Sequence, residues 1–269
     1  LIMLKYKKPT LKNKKHLENF FIEKGLKFLV DQSKKKAPSV NQMRLVEPTI
    51  PELDDLYNLY QYILINKRTT ILEFGSGWST LIFSLALREL RNKFSKEVKL
   101  LRRNNPFELF VIENSKKYLN ITRNRIQKVN KYLKIKNPIK IHYHLTDVEM
   151  STFNDRICTQ YKKLPLCNPD FIYLDGPDQF NVKKHINGIS TRHKDMMPMV
   201  SDILKFEHFY TPGTMIVCDG RAANAKFYRD NFQRNWKYLN DKKTDQHIFY
   251  LNDPILGKYN KLQVKFYNN

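Results

Sequence analysis

Residues 70–80, Thr-Ile-Leu-Glu-Phe-Gly-Ser-Gly-Trp-Ser-Thr, carry the clearest chemical signal in the 269-residue sequence. An apolar run ends on Glu73, glycines follow at Gly75 and Gly77, and a second apolar run with helical spacing begins at once. Glycine opens backbone conformations closed to other residues and lets a ligand approach the chain. Free N–H groups at a helix start attract an anionic group, and the first crossover of an open α/β sheet is where a nucleotide-like cofactor sits. Glu73 narrows that class. A dinucleotide brings a negative pyrophosphate that an acid in this position repels, whereas a nucleoside bearing positive charge is attracted. Glu113 closes the next apolar run, Phe110-Val-Ile-Glu. It is placed to bind both hydroxyls of a ribose, or, more simply, to act as an acid at a helix N-terminus.

Two further acids end apolar runs, Asp175 before Gly176-Pro177 and Asp219 before Gly220. Either could take a proton from a bound group or orient it, and either could merely cap the turn behind it. Between them, residues 178–210 hold His185, Arg192, His193, Lys194 and Asp195, then an apolar Met196-Met197-Pro198-Met199 run. His193 joins Asp175 and Asp219 as a candidate catalytic residue, with a surface histidine as the plainer alternative. Arg221 could bind an anionic acceptor such as a uronate or phosphate, or pair with a neighbouring acid.

These residues need a scaffold. Strands are expected over 70–74, 109–112, 140–145, 170–174 and 214–218, with closing strands over 247–251 and 262–267. Helices are expected over 79–87, 115–133 and 222–232, and another beginning near Thr49-Ile-Pro51-Glu52, with Pro51 in its first turn. Alternating strands and helices predict an α/β fold, a Rossmann-like, mostly parallel, seven-stranded sheet with helices on both faces. Residues 1–45 read as a basic N-terminal extension with an amphipathic helix over 16–30 that Gly25 weakens. Residues 46–269 read as the main domain, with a basic loop inserted at 91–106 and an acceptor-side segment at 178–210.

Composition sets the outer limits. With 41% hydrophobic and 28% charged residues the chain is a folding one. No apolar run reaches the roughly 18 residues a membrane-spanning helix needs, and residues 1–8 hold too short an apolar part for a secretory signal. Cys158, Cys167 and Cys218 form no CxxC pair, so neither a disulfide framework nor a zinc site is expected, and a cytoplasmic location is the default. The net charge of +22 invites a nucleic-acid reading. The excess is 35 Lys against 13 Arg, however, and readers of bases and phosphates favour the forked guanidinium.

With these motifs, the chain resembles the class I S-adenosylmethionine-dependent methyltransferases over about residues 68–251, nearest their catechol O-methyltransferase-like branch. Glu73 to Gly77 resembles their first motif, and Trp78-Ser79 their Gly-Tyr-Ser turn, whose serine helps hold the methionyl carboxylate. Glu113 to Tyr118 resembles the ribose-binding acid and its following helix, and Thr146-Asp147-Val148 the adenine-contacting position. Pro169 to Gly176 resembles the fourth motif, facing the transferred methyl group, and Gly213 to Asp219 the strand-five motif. The resemblance implies Glu73, Gly75, Gly77, Ser79, Glu113 and Asp147 as cofactor-binding residues. In metal-dependent members an aspartate matching Asp175 and an Asp-Asn pair matching Asp219-Gly220 help hold magnesium; Gly220 lacks that side chain, so the metal is left open. The implied activity is methylation of an oxygen on a small molecule or sugar. An RNA methyltransferase using the basic surface, and a cofactor-binding module without turnover, remain as alternatives; an NAD-dependent enzyme is disfavoured by Glu73. The acceptor and the oligomeric state are not assigned.

Overall fold

The computed structural model describes residues 3–39, 48–193, 195–196 and 199–269. Lys194, Met197 and Pro198 of the acceptor-side segment lie outside the described residues, as does 40–47, where the extension meets the main domain.

The elements run α1 (Lys14–Glu23), α2 (Lys27–Ser33), α3 (Leu53–Ile65), β1 (Thr70–Phe74), α4 (Trp78–Lys99), β2 (Glu108–Glu113), α5 (Lys116–Tyr132), β3 (Lys140–Leu145), β4 (Val148–Phe153), β5 (Arg156–Tyr161), β6 (Phe171–Leu174), β7 (Val182–Lys183), α6 (Asp202–Lys205), β8 (Met215–Asp219), α7 (Ala222–Asn231), β9 (Trp236–Asp241), β10 (Gln246–Leu251) and α8 (Gly257–Asn268). The main sheet has seven strands in the order β3-β2-β1-β6-β8-β10-β9. Strands β3 to β8 of that order are parallel, while β10 runs antiparallel to both of its neighbours. The chain leaves β1 in one direction to reach β2 and returns on its other side as β6, so a switch point lies at the C-terminal end of β1. That is where open α/β sheets bind ligands.

Strand residues divide by parity. Ile71, Leu109, Val111, Phe171, Tyr173, Met215 and Val217 enter one core cluster, with α1 to α5 and α8. Leu72, Phe74, Phe110, Ile112, Ile172, Leu174, Ile216 and Cys218 enter the other, with α6 and α7. The second face is shared with an unexpected three-stranded sheet, β5-β4-β7.

Several expectations are corrected. The expected 91–106 loop shrinks to 100–106: α4 continues to Lys99 because Leu87, Leu90, Phe94 and Val98 recur at steps of three and four and pack on the core. Residues 262–267 form part of α8, not a strand; Asn260, Gln263, Val264 and Tyr267 make a buried helical stripe. The 16–30 helix is two helices, broken at Gly25, which holds φ +76. Pro51 precedes α3, whose N-cap is Glu52.

Candidate functional site

Parity also places the acids. Glu73 is level with Val111 and Tyr173, and Tyr173 with Val217. Glu113 and Asp219 lie two residues further along their strands, and so on the same face. Strands β2, β1 and β8 thus bring carboxylates to one side of one sheet end, with Tyr173 of β6 between them. Asp175, just past β6, joins them.

Behind them the backbones of two strand ends touch. Gly75 has φ +98, and a Cβ there would meet the Gly176 nitrogen at 2.9 Å; one on Gly176 would meet the Gly75 nitrogen at 2.6 Å. Gly77 is different: its backbone is extended and a Cβ would enter open space. That space is a cleft of about 340 Å³ lined by Gly75, Ser76, Gly77, Trp78, Glu113, Tyr118, Arg125, Asp175, Asp178 and Arg221, among others. Asn114 ties one rim down, since its side chain donates to the Asp178 carbonyl at 3.1 Å and accepts from the Asp178 N–H at 2.9 Å.

Glu113 is 2% exposed and well held. One carboxylate oxygen accepts the Asn114 and Ser115 N–H groups at 2.8 and 2.9 Å, and the other accepts the Ser76 hydroxyl at 2.8 Å. Burial pushes its carboxyl up to about 7, although these donors pull the other way. Glu73 is 1% exposed; Ser79 donates its hydroxyl to one oxygen, and the second oxygen is buried with no partner. Burial lifts Glu73 to about 8, against the pull of the Ser79 and Thr80 hydroxyls. An orphaned carboxylate oxygen in this position fits a ligand that brings a cation or a donor. Ser79 thereby orients Glu73.

A second cavity, about 540 Å³, shares Thr49, Ser76, Gly77, Trp78 and Asp175 with the first. Its other walls include Glu52, Asp54, Asp55, Tyr173, Asp219, Lys242, Lys243 and Asp245. Asp175 faces both cavities. Its carboxylate is exposed to them and accepts no hydrogen bond from the described residues, yet protein crowds it elsewhere; this crowding lifts it to about 6, partly offset by Arg221. Asp219 accepts the Tyr173 hydroxyl at 2.6 Å and is lifted to about 7, by burial first and then by the charge of Asp175. Asp55 rises to about 9 through burial and the charge of Asp219. Arg221 donates to the backbone carbonyls of Asp175 and Pro177, the latter at 3.0 Å, and braces the loop after β6.

Glu73, Gly75, Gly77, Ser79, Glu113, Asp175 and Asp219 are thus brought together. Asp147 and His193 are not. Asp147 pairs with Lys183 at 2.8 Å in a separate cavity with Thr146, Lys162 and Lys163. His193 is exposed, 3.9 Å from Asp195, and lines neither of the two cavities. Sequence reasoning missed Tyr173, Asp55 and Arg125. Tyr173 was legible as the residue two before Asp175 on an inward-facing parity, whereas the other two sit inside ordinary helices.

Magnesium does not fit this donor set. Gly220 offers no side chain, one Asp219 oxygen is taken by Tyr173, and no group of three or more His, Cys, Asp or Glu able to hold a metal occurs among the described residues. Among the described residues, no helix is long and apolar enough to cross a membrane.

No family model matches the chain, and no curated protein matches it in sequence. Solved structures do resemble it. The SAH-bound methyltransferase PaMTH1 of Podospora anserina is 11% identical, covers 91% of this chain and 99% of its own, and has a TM-score of 0.42. An O-methyltransferase of Bacillus cereus in complex with SAH is 14% identical, covers 90% and 92%, and scores 0.38. The O-methyltransferase TomG of Streptomyces achromogenes, in complex with SAM, is 12% identical, covers 91% and 92%, and scores 0.39.

Proposed function

We propose that the chain is an S-adenosylmethionine-dependent methyltransferase that acts on a hydroxyl of a small neutral or cationic acceptor. The observation that carries this reading is the buried, half-partnered Glu73 behind the Gly75–Gly77 turn, with Glu113 at the neighbouring strand tip. Acids in both places oppose a pyrophosphate and suit an ammonium, a sulfonium and a ribose diol.

S-adenosylmethionine, when bound, supplies a methyl group on a positively charged sulfur. Glu73 would meet the cationic end of the cofactor, and Glu113 would accept the ribose hydroxyls in place of, or beside, the Ser76 hydroxyl. The first N–H groups of α4 would receive its carboxylate. Asp175, in the wall that the two cavities share, would take the proton of the acceptor hydroxyl. With its carboxyl lifted only to about 6, it is largely ionised at pH 7 and still basic enough to help. Tyr173 holds Asp219 beside it as an orienting group.

The acceptor cavity carries six carboxylates against Lys242 and Lys243. This opposes a uronate or phosphate acceptor, and Arg221 is committed to backbone carbonyls. The deciding experiment is methyl transfer from radiolabelled S-adenosylmethionine to matched neutral, cationic and anionic phenols and sugars. Transfer to the anionic set alone would overturn the acceptor assignment, and failure to bind S-adenosylhomocysteine would overturn the cofactor.

A further inference from the structure

A second cavity of small-molecule size, about 780 Å³, lies between α2 and α5. Its walls are apolar, with Phe28, Ile121, Val129 and Tyr132 around the edge of Trp78. Its charge is one-sided, because Lys27, Arg125 and Lys128 face a single acid, Asp31.

Arg125 is the unusual group. Its guanidinium lies 3.6 Å from the centre of the Trp78 ring, and it makes no hydrogen bond or ion pair with any described residue. Arg221, in the cofactor cleft, has by contrast given one of its nitrogens to backbone carbonyls. A guanidinium presents five donors in a fixed fork. Leaving them unused while half-buried costs solvation, and burial accordingly draws the Arg125 pKa down to about 10. Stacking on Trp78 fixes the fork without occupying its edge. Phe28 stands 6.4 Å from Trp78 on the groove side.

We propose that this groove is a binding site for a small apolar anion, an aromatic or aliphatic body bearing one carboxylate or phosphate that Arg125 receives. Trp78 and Arg125 also line the cofactor cleft, so the two sites share a wall. Trp78 is the first residue of α4, and its indole N–H donates to the Thr49 carbonyl at 3.1 Å. A ligand in the groove therefore presses on the turn that carries Gly77.

Calorimetric titration of the full chain with 1-naphthyl phosphate and with 1-naphthylmethylamine, each with and without saturating S-adenosylhomocysteine, tests the assignment. The phosphate is expected to bind about tenfold more tightly than the amine, S-adenosylhomocysteine should not displace it, and Arg125→Gln should erase the preference. Equal binding of the two probes, a preference that survives Arg125→Gln, or displacement by S-adenosylhomocysteine would each overturn it. If Arg125→Gln fails to fold, Tyr132→Ala at an exposed position takes its place: weaker binding of both naphthyl probes supports the site, and unchanged binding of both refutes it. Loss of S-adenosylhomocysteine binding with the naphthyl preference intact would remove the proposed cofactor and leave the groove standing.

Discussion

The two ends of β1 and β6 both carry buried acids, and they are treated in opposite ways. At the N-terminal end, Asp170 is 1% exposed and accepts the Thr69 and Thr70 N–H groups, the Thr69 hydroxyl and the Tyr267 hydroxyl, with Arg103 3.7 Å away. At the C-terminal end, Glu73 is equally buried, yet one of its oxygens has no partner among the described residues. An acid with every lone pair spent holds the fold; a buried acid left short awaits something the chain does not supply. Residue type is alike at both ends, and the count of partners separates Asp170 from Glu73.

That contrast can be broken in several places. Asp175→Asn should lower methyl transfer by about 10²- to 10⁴-fold, the usual worth of a general base, with the melting temperature and S-adenosylhomocysteine affinity nearly unchanged. Full turnover in this variant would remove Asp175 from the chemistry. Asp170→Ala should do the reverse, costing about 3–5 kcal/mol of stability because Arg68 and Arg103 lose their shared carboxylate. Urea unfolding measures this, and a loss below about 1 kcal/mol, the worth of one hydrogen bond, would show that Asp170 is not the clamp described. Glu113→Ala should weaken cofactor binding by about 1–3 kcal/mol, and unchanged affinity in calorimetry would exclude it from the ribose site.

The smallest effect sharpens the comparison most. The carboxyl of Glu73 is raised to about 8 in the empty fold, above its ordinary 4.5. The unfolded chain therefore releases this proton first, and the empty protein should lose stability as pH rises between those two values. A bound cation favours the ionised form, so cofactor binding should release a proton, and affinity should climb with pH until about 8. Glu73→Gln should flatten that climb. A wild-type affinity independent of pH over this range would contradict the role given to the orphaned oxygen.

Much of this site was readable in the chain because it sits where patterns change. Glu73, Glu113, Asp175 and Asp219 each terminate an apolar run, and apolar runs of that length between helices become parallel strands whose ends lie side by side. Readings failed where two periods coincide. Residues 262–267 alternate like a strand, yet Asn260, Gln263, Val264 and Tyr267 also fit a helical stripe, and packing chose the helix. The β4–β5 hairpin was missed although Asn154 and Asp155 turn it, both with positive φ, a pairing typical of tight hairpins. Asp147 could not be excluded in advance. Which way a residue past a strand end turns depends on partners such as Lys183, 36 positions on and joined only by the fold.

The contact between Gly75 and Gly176 has a consequence for how this protein could be altered. The loop that carries Gly77 and the loop that carries Asp175 are butted backbone to backbone, so their separation is not tunable by exchanging side chains. On the proposed reading, variation in the acceptor must come from the far wall, where the side chains of Glu52, Asp54, Lys242, Lys243 and Asp245 are exposed. Laboratory selection for new acceptors should concentrate its accepted substitutions there and leave the paired glycines untouched.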